Sequence, residues 1–277
     1  MLNVHDHSRE SVGMKYIYPV VSRRAGGVSI GINLNTNNAC NWACIYCQVP
    51  NLTRGAAPPV DLKLLEEELR RFLHTATAGD FLEKNVPPEA RRLVDVAFSG
   101  NGEPTSAGEF AEAVSVASRV LDDYKLLPHI KMRLITNGSL MHRAAVRRGI
   151  ALIGNLSGEV WFKIDAGTTE EVSRINGTHT TPDKIRRAIL ACSTLSPTWI
   201  QTCLFATDGQ AIAEREFAAY LDLISSVSTH IQGVHLYGMA RPSLQPEANR
   251  LSALNAESLS MFARRIAALG LTVVENP

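Results

Sequence analysis

The chain has 277 residues, 45% of them hydrophobic, and its 28 Lys and Arg against 27 Asp and Glu leave a formal charge of +1. That length holds one large domain or two small ones with a sizeable core, and the charge balance gives no global case for a nucleic-acid or membrane partner. Five cysteines in such a chain make no disulfide framework, and neither a signal-type leader nor a run of about 18 apolar residues is visible, so a cytoplasmic protein without a membrane span is expected.

Residues 1–27 read as an N-terminal extension, polar at first, with His5 and His7 in a flexible setting, and residues 28–277 as the core domain. Tyr16 to Val21 is a short strand or an extended lead-in, broken by Gly26-Gly27, and Val28 to Leu34 is the first clear strand. Asp61 caps a helix with Leu62, Leu65, Leu69, Phe72 and Leu73 on one face. A second strand, Leu93 to Phe98, runs into Ser99-Gly-Asn101-Gly102-Glu103-Pro104-Thr105. Ser106 and Glu109 form a capping box for a helix to about Asp122.

The third strand, Lys131 to Ile135, ends at Thr136-Asn137, and a helix from about Met141 to Arg148 follows. The fourth, Glu159 to Ile164, ends at Lys163-Ile-Asp165-Ala-Gly. Thr181-Pro182 opens a helix to about Thr194. Trp199 to Phe205 is the fifth strand and Gln232 to Tyr237 the sixth, separated by a helix over about 211–227. A polar loop over 246–252, a helix capped by Asn255 and a terminal strand near 271–274 complete the chain. Six strands alternating with six helices, apolar on both faces, predict a parallel α/β sheet, open or closing into a partial (β/α)6 barrel.

Cys40, Cys44 and Cys47 stand apart, at C-x3-C-x2-C spacing in the loop after the first strand. Three thiols on one short loop can hold three corners of an iron–sulfur cluster and leave one iron for a ligand that is not protein. Zinc normally shows paired C-x2-4-C or an H-x3-5-H soon after the cysteines, and neither follows this loop closely. Ligands bind at the carboxyl ends of parallel strands. The cysteine loop, Asn101-Gly-Glu103, Thr136-Asn137, Lys163 and Asp165, Gln201-Thr202, then Tyr237 and Arg241 all fall at such ends.

With an aromatic just before its last cysteine, the motif resembles that of the radical S-adenosylmethionine (SAM) superfamily, and the resemblance runs from about Ser22 onward. It implies a parallel partial barrel of radical SAM type. Cys40, Cys44 and Cys47 would then bind a [4Fe-4S] cluster, with SAM on the open iron and Tyr46 near its adenine. Asn101-Gly102-Glu103-Pro104 resembles the Gly-Gly-Glu-Pro segment that receives the methionine ammonium, with Asn101 in place of the first glycine. Ser22-Arg-Arg-x-Gly-Gly, Lys163-Ile-Asp-Ala-Gly167, Arg174-Ile-Asn176, Gln201-Thr202 and Ala240-Arg241-Pro242 are similar to iron–sulfur oxidoreductases related to the wyosine tRNA-modifying synthase. They imply that Lys163, Asp165 and Gln201 face SAM or substrate, and Asn137 at the third strand end is a further cofactor-binding candidate. The wyosine synthase carries a second cluster on earlier cysteines. Here no cysteine precedes Cys40, and Cys192 with Cys203 are too few for another set, so a single cluster is expected.

The reaction so implied is reductive cleavage of SAM to a 5′-deoxyadenosyl radical, which abstracts hydrogen from a substrate. An electron donor such as flavodoxin or ferredoxin is a further implied partner. Cys203 is a candidate hydrogen-atom donor, against the plainer reading of a buried small hydrophobe. Tyr237, Arg241 and His235 are substrate-side candidates, Arg241 suiting a carboxylate or phosphate. The substrate is a small molecule or an RNA. The Arg pairs at 70–71, 91–92, 147–148, 186–187 and 264–265 read as solvated helix faces more readily than as an RNA footprint. The alternative from another class is an iron–sulfur protein that only transfers electrons or senses redox state.

Overall fold

A computed structural model describes residues 12–22 and 26–276; His5 and His7 lie outside these, as do Arg23 and Arg24. Strand β1 (Ile17–Ser22) runs antiparallel to β2 (Gly27–Ile32). Two short strands, β3 (Ala39–Cys40) and β4 (Thr53–Arg54), pair with each other and bracket the cysteine loop. Then come α1 (Leu62–Thr77), α2 (Phe81–Asn85), β5 (Leu93–Phe98), α3 (Phe110–Asp123), β6 (Lys131–Thr136) and α4 (Ala144–Asn155). They are followed by β7 (Glu159–Lys163), α5 (Thr169–Asn176), α6 (Pro182–Ser193), β8 (Thr198–Thr207) and α7 (Glu214–Ser225). Strands β9 (Gly233–Gly238) and β10 (Leu251–Ala253), helix α8 (Ala256–Ala267) and β11 (Val273–Asn276) close the chain.

The main sheet has the order β1-β2-β5-β6-β7-β8-β9-β11, and every pairing from β2 to β11 is parallel. Its path has two ends, so the sheet curls into an open half-barrel, as the strand–helix alternation predicts. Parallel neighbours require crossover connections, and the helices that provide them cover the outer face. Ile30, Val96, Met132, Val160, Ile200 and Val234 point outward, each fully buried against helix residues such as Leu69, Phe72, Ala117, Ile150 and Ile189.

The inner face departs from the expectation of strands apolar on both sides. At the alternate positions it carries Ser29, Asp95, Arg133, Trp161, Lys163 and Gln201, which line a cavity. A curled sheet has an inside that no helix covers, so one face of each strand is free to be polar. Toward the amino ends of the strands, these side chains satisfy one another. Arg133 Nη1 donates to Asp95 Oδ2 and its Nε to Glu159 Oε1 at 2.7 Å, while Lys131 Nζ reaches Glu159 Oε2 at 2.8 Å. Ser29 Oγ donates to Asp95 and Trp161 Nε1 to Glu159 at 3.0 Å.

Several boundaries moved for traceable reasons. Ser106 does not cap α3, and Glu109, at its N-cap position, makes no side-chain cap bond. Ser106 Oγ donates to the Glu103 carbonyl (2.7 Å) and accepts from Ala57 N–H (2.9 Å), and Glu109 Oε2 accepts from Val60 N–H (3.2 Å). Tertiary bonds outbid the local cap, and the helix begins at Phe110. Helix α4 starts at Ala144, three residues after the expected Met141. Helix α5 lies outside the expected elements although it is signalled at both ends: Thr168 Oγ1 accepts from Glu171 N–H, and Gly177 closes it at φ 61°, a conformation that favours glycine. The loop over 246–252 contains the start of β10, antiparallel to the end of β8. Thr181 and Asn255 cap α6 and α8 as expected. Among the described residues no helix is long and apolar enough to cross a membrane.

Candidate active site

The cysteine loop lies over the carboxyl ends of the strands and is tied down from several sides. Ala43 N–H and Ile45 N–H donate to the carbonyls of Asn176 (3.0 Å) and Ile175 (2.9 Å) at the end of α5. Beyond β9, Ser243 Oγ donates to the Ile45 carbonyl at 2.7 Å, and Gln245 Nε2 to those of Cys47 and Val49 at 3.1 and 2.9 Å. Gln48 Nε2 donates to the Arg241 carbonyl (3.0 Å), and Asn137 Nδ2 to Asn41 Oδ1 (2.9 Å). The loop's own backbone polar groups are thereby spent on fixing its path, and its thiols face inward.

Cys40, Cys44 and Cys47 line a cavity of about 310 Å³ that runs from the loop down into the half-barrel. Every other predicted site residue but Asp165 and His235 lines it too: Tyr46, Asn101, Gly102, Glu103, Asn137, Lys163, Gln201, Cys203, Tyr237 and Arg241. Burial pushes the Cys40 thiol up to about 11, against the pull of the Trp42 N–H, with the Glu103 charge raising it further. Burial pushes Cys44 up to about 12, opposed by the Lys163 ammonium and an Asn176 hydrogen bond. A bound metal would supply the positive charge that favours their deprotonation.

Glu103 is 3% exposed and joins the ends of β5 and β6. Its Oε1 accepts from Thr105 N–H (3.1 Å), Thr105 Oγ1 (2.6 Å) and Thr136 Oγ1 (2.6 Å), and its Oε2 from Asn137 N–H (2.7 Å). Burial raises its pKa above the ordinary carboxylate value despite these donors. Oε2, with one donor, retains acceptor capacity for a cation in the cavity. Gly102 is packed so closely that a Cβ there would collide with the Ala39 carbonyl and the Asn35 amide. Asn101 Nδ2 donates to Asn38 Oδ1 at 2.7 Å, while its buried Oδ1 has no hydrogen-bond partner.

On the opposite side Asp165, 2% exposed, is a junction rather than a lining group. It accepts from Tyr46 Oη (2.5 Å), Asn176 Nδ2 (2.8 Å) and Cys203 N–H (3.0 Å), joining the cysteine loop, α5 and β8. Tyr46 packs its ring on Phe205 at 5.5 Å, with Lys163 Nζ 4.9 Å from its centroid. Lys163 Nζ donates to Tyr237 Oη at 3.1 Å. Burial lowers the lysine's pKa, but Tyr237, Asp165 and Cys44 outweigh it, and the net displacement is upward, which keeps the ammonium charged. Gln201, level with Lys163 on the neighbouring strand, is 2% exposed and its Nε2 has no partner. His235 packs between Trp161 (4.4 Å) and Trp199 (4.8 Å) with its ring tilted to both, deeper than the mouth. Asn176, Thr105, Ser243 and Gln245 are site residues missing from the sequence reading. For Asn176 a signal was present, since Arg174-Ile-Asn176 stands out as a motif without a role.

This architecture, a curled and open parallel sheet with a tethered three-cysteine loop over its carboxyl ends, is the partial-barrel fold of the radical SAM enzymes. Among solved structures it is similar to TYW1 with a lysine–pyruvate adduct bound (TM-score 0.59, 16% identity, 87% of this chain and 73% of that one). A radical SAM methyltransferase from Sphaerobacter thermophilus gives a TM-score of 0.56 at 13% identity over 93% and 67%. The enzyme anSMEcpe with AdoMet bound gives 0.56 at 18% identity over 88% and 63%.

No family model matches the chain. In sequence it is similar to a UPF0026 protein of Helicobacter pylori strain J99 (27% identity over 178 residues, 63% of this chain and 50% of that protein). UPF0026 protein MJ1312 of Methanocaldococcus jannaschii is 29% identical over 176 residues, 62% and 48% respectively. A protein named GTPase Obg from Brachyspira hyodysenteriae is 27% identical over 161 residues, 57% of this chain and 20% of that protein. This chain has no Gly-Lys pair and so no phosphate-binding P-loop. The chain spans about half the length, or less, of the curated relatives it matches.

Proposed function

We propose that the chain is a radical SAM enzyme acting on a small molecule held inside the half-barrel. The carrying observation is that three thiols, a buried carboxylate with a lone pair to spare and two orphaned polar atoms line one cavity. The donor set fits an iron–sulfur cluster. Among the described residues no three Cys, His, Asp or Glu side chains converge on a single ion, which is what zinc would need, whereas a cluster takes each thiolate on a different iron. When bound, such a cluster supplies one electron to the sulfonium of SAM, releasing methionine and the 5′-deoxyadenosyl radical that takes hydrogen from the substrate.

The protein's own residues provide placement. Cys40, Cys44 and Cys47 hold the cluster, and Glu103 Oε2 with the Gly102 backbone receives the methionine ammonium. Gln201 Nε2 offers a buried donor to an acceptor on SAM or substrate, since an unpaired buried donor gains most from a partner. Lys163 presents a fixed positive charge beside it. Burial around Tyr46 and Phe205 excludes water from the same side. A small substrate is favoured over RNA because the Arg pairs are spread over different elements and locally engaged. Arg70 pairs with Glu66 and Asp123, Arg147 donates to the Met141 and His142 carbonyls, and Arg265 pairs with Glu214. The electron comes from a donor of flavodoxin or ferredoxin type.

Anaerobic reconstitution followed by dithionite and SAM tests this reading. The wild type is expected to load about four iron and four sulfide per chain and to release 5′-deoxyadenosine. Single alanine replacements of Cys40, Cys44 or Cys47 are expected to reduce both below detection. A fully loaded wild type that leaves SAM intact would point instead to an electron-transfer or redox-sensing protein.

A further inference from the structure

Asn176 is the last residue of α5 and is 1% exposed. Its side-chain nitrogen donates to Asp165 Oδ2 at 2.8 Å and to Cys44 Sγ at 3.3 Å. A primary amide nitrogen has two protons, and here each has an acceptor. The orientation of the amide is not free. The Asp165 Oδ2 that it meets is the oxygen that accepts from the Tyr46 hydroxyl, so the nitrogen and not the oxygen faces it. Asp165 is itself held by Tyr46 Oη and the Cys203 N–H. The Asn176 backbone is fixed as well, because its carbonyl accepts from Ala43 N–H at 3.0 Å and Gly177 terminates the helix right after it. A Cβ at Gly177 would lie 3.0 Å from the Ala43 carbonyl, so the close approach of helix end and cysteine loop depends on that glycine. Three separate attachments therefore aim one N–H at one sulfur.

We propose that Asn176 is a positioning residue that fixes the direction of the Cys44 thiolate and raises the reduction potential of the cluster it ligates. This rests on the cluster reading above. An N–H donated to a coordinating sulfur offsets the negative charge added when the cluster takes one electron, and hydrogen bonds to the sulfurs are among the factors that set such potentials. The electron is that of the external donor; no bond is made or broken at Asn176. The amide is neutral, so it supports the reduced state without adding a proton that could be lost during turnover.

The test compares the wild type, Asn176→Leu and Asn176→Gln after anaerobic reconstitution. Iron and sulfide content is measured first, then the midpoint potential by EPR-monitored titration without SAM. The expected result is equal loading, a shift of Asn176→Leu to more negative potential, and a smaller shift for Asn176→Gln, which keeps an amide donor. Asn176→Leu loaded to wild-type level with an unchanged midpoint would overturn the proposal while leaving the cluster reading intact. A wild type that loads no iron would overturn both. Should Asn176→Leu not fold, the wild type labelled with 15N-asparagine carries the question. A hyperfine coupling of that nitrogen or its exchangeable protons to the reduced cluster is expected, and its absence would overturn the proposal.

Discussion

The two ends of the half-barrel are both polar inside, yet they differ in how completely that polarity is satisfied. At the floor, Ser29, Asp95, Arg133, Glu159, Lys131 and Trp161 form a network in which the carboxylates face cations or donors. At the mouth, Gln201 Nε2 and Asn101 Oδ1 are buried without partners, and three thiols face a cavity. Leaving a buried donor or acceptor unmade costs about 1–3 kcal/mol each, a burden that a ligand site relieves when it fills. The floor satisfies its own polar groups, and the mouth does not.

The sharpest way to break the contrast is at the floor. Arg133→Met strands Asp95 and Glu159, which are 2% and 5% exposed, without their shared cation. A loss of about 3–5 kcal/mol is expected in urea denaturation at pH 7, shrinking as acid neutralises the two carboxylates. A loss under about 1 kcal/mol would show the network to be ornamental. At the mouth, Glu103→Gln keeps the shape but weakens the acceptor for Thr105, Thr136 and Asn137. We expect about 1–3 kcal/mol of lost stability and at least tenfold weaker SAM retention by the reconstituted protein, read by equilibrium dialysis. Unchanged SAM retention would remove Glu103 from the ammonium site.

Glu159 makes the floor pH-dependent. Burial raises its pKa, but Lys131 and Arg133 outweigh this, and the folded-state value lies below the ordinary value of 4.5. A depressed carboxylate contributes stability above the unfolded-state pKa and loses it as pH falls through the folded one. Wild-type stability should therefore fall below about pH 4.5, with a flatter acid limb in Glu159→Gln. Asp95, which burial displaces upward, titrates in the opposite sense, so the single variant is needed to isolate Glu159. The smallest effect is expected for Gln201→Leu. Its Nε2 has no partner to lose, so the melting temperature should hold or rise, within about 1 kcal/mol. A loss above about 2 kcal/mol would mean that the mouth is as closed as the floor.

Much of this was legible in sequence, because the relevant patterns are local. Leu93 to Phe98 or Glu159 to Ile164 declares a strand by composition, and each is followed by the polar residues that the parallel topology carries to one rim. Helix α5 gives a weak signal in sequence because eight residues with Glu170, Glu171 and Arg174 offer only a narrow apolar face. The polar floor gives none because Asp95, Arg133 and Glu159 are single residues in otherwise apolar strands, and only the curl of the sheet brings them together. The roles of Asp165 and Asn176 were unreadable for a simpler reason: their partners Tyr46 and Cys44 lie 119 and 132 residues away in the chain.

Local chemistry along the chain dictates the order of strands and helices, the spacing of Cys40, Cys44 and Cys47, and the set of polar groups at the strand ends. These follow from side-chain period, cap chemistry and ligand spacing, which act over a few residues. Which of those groups are spent on each other, and which stay without a partner, is set by the packing of distant segments. Asp165 is used up in holding the cysteine loop, Glu103 in part, and Gln201 Nε2 not at all. Whether a buried polar atom is satisfied depends on neighbours brought in from distant parts of the chain when the sheet curls, and no local pattern encodes that.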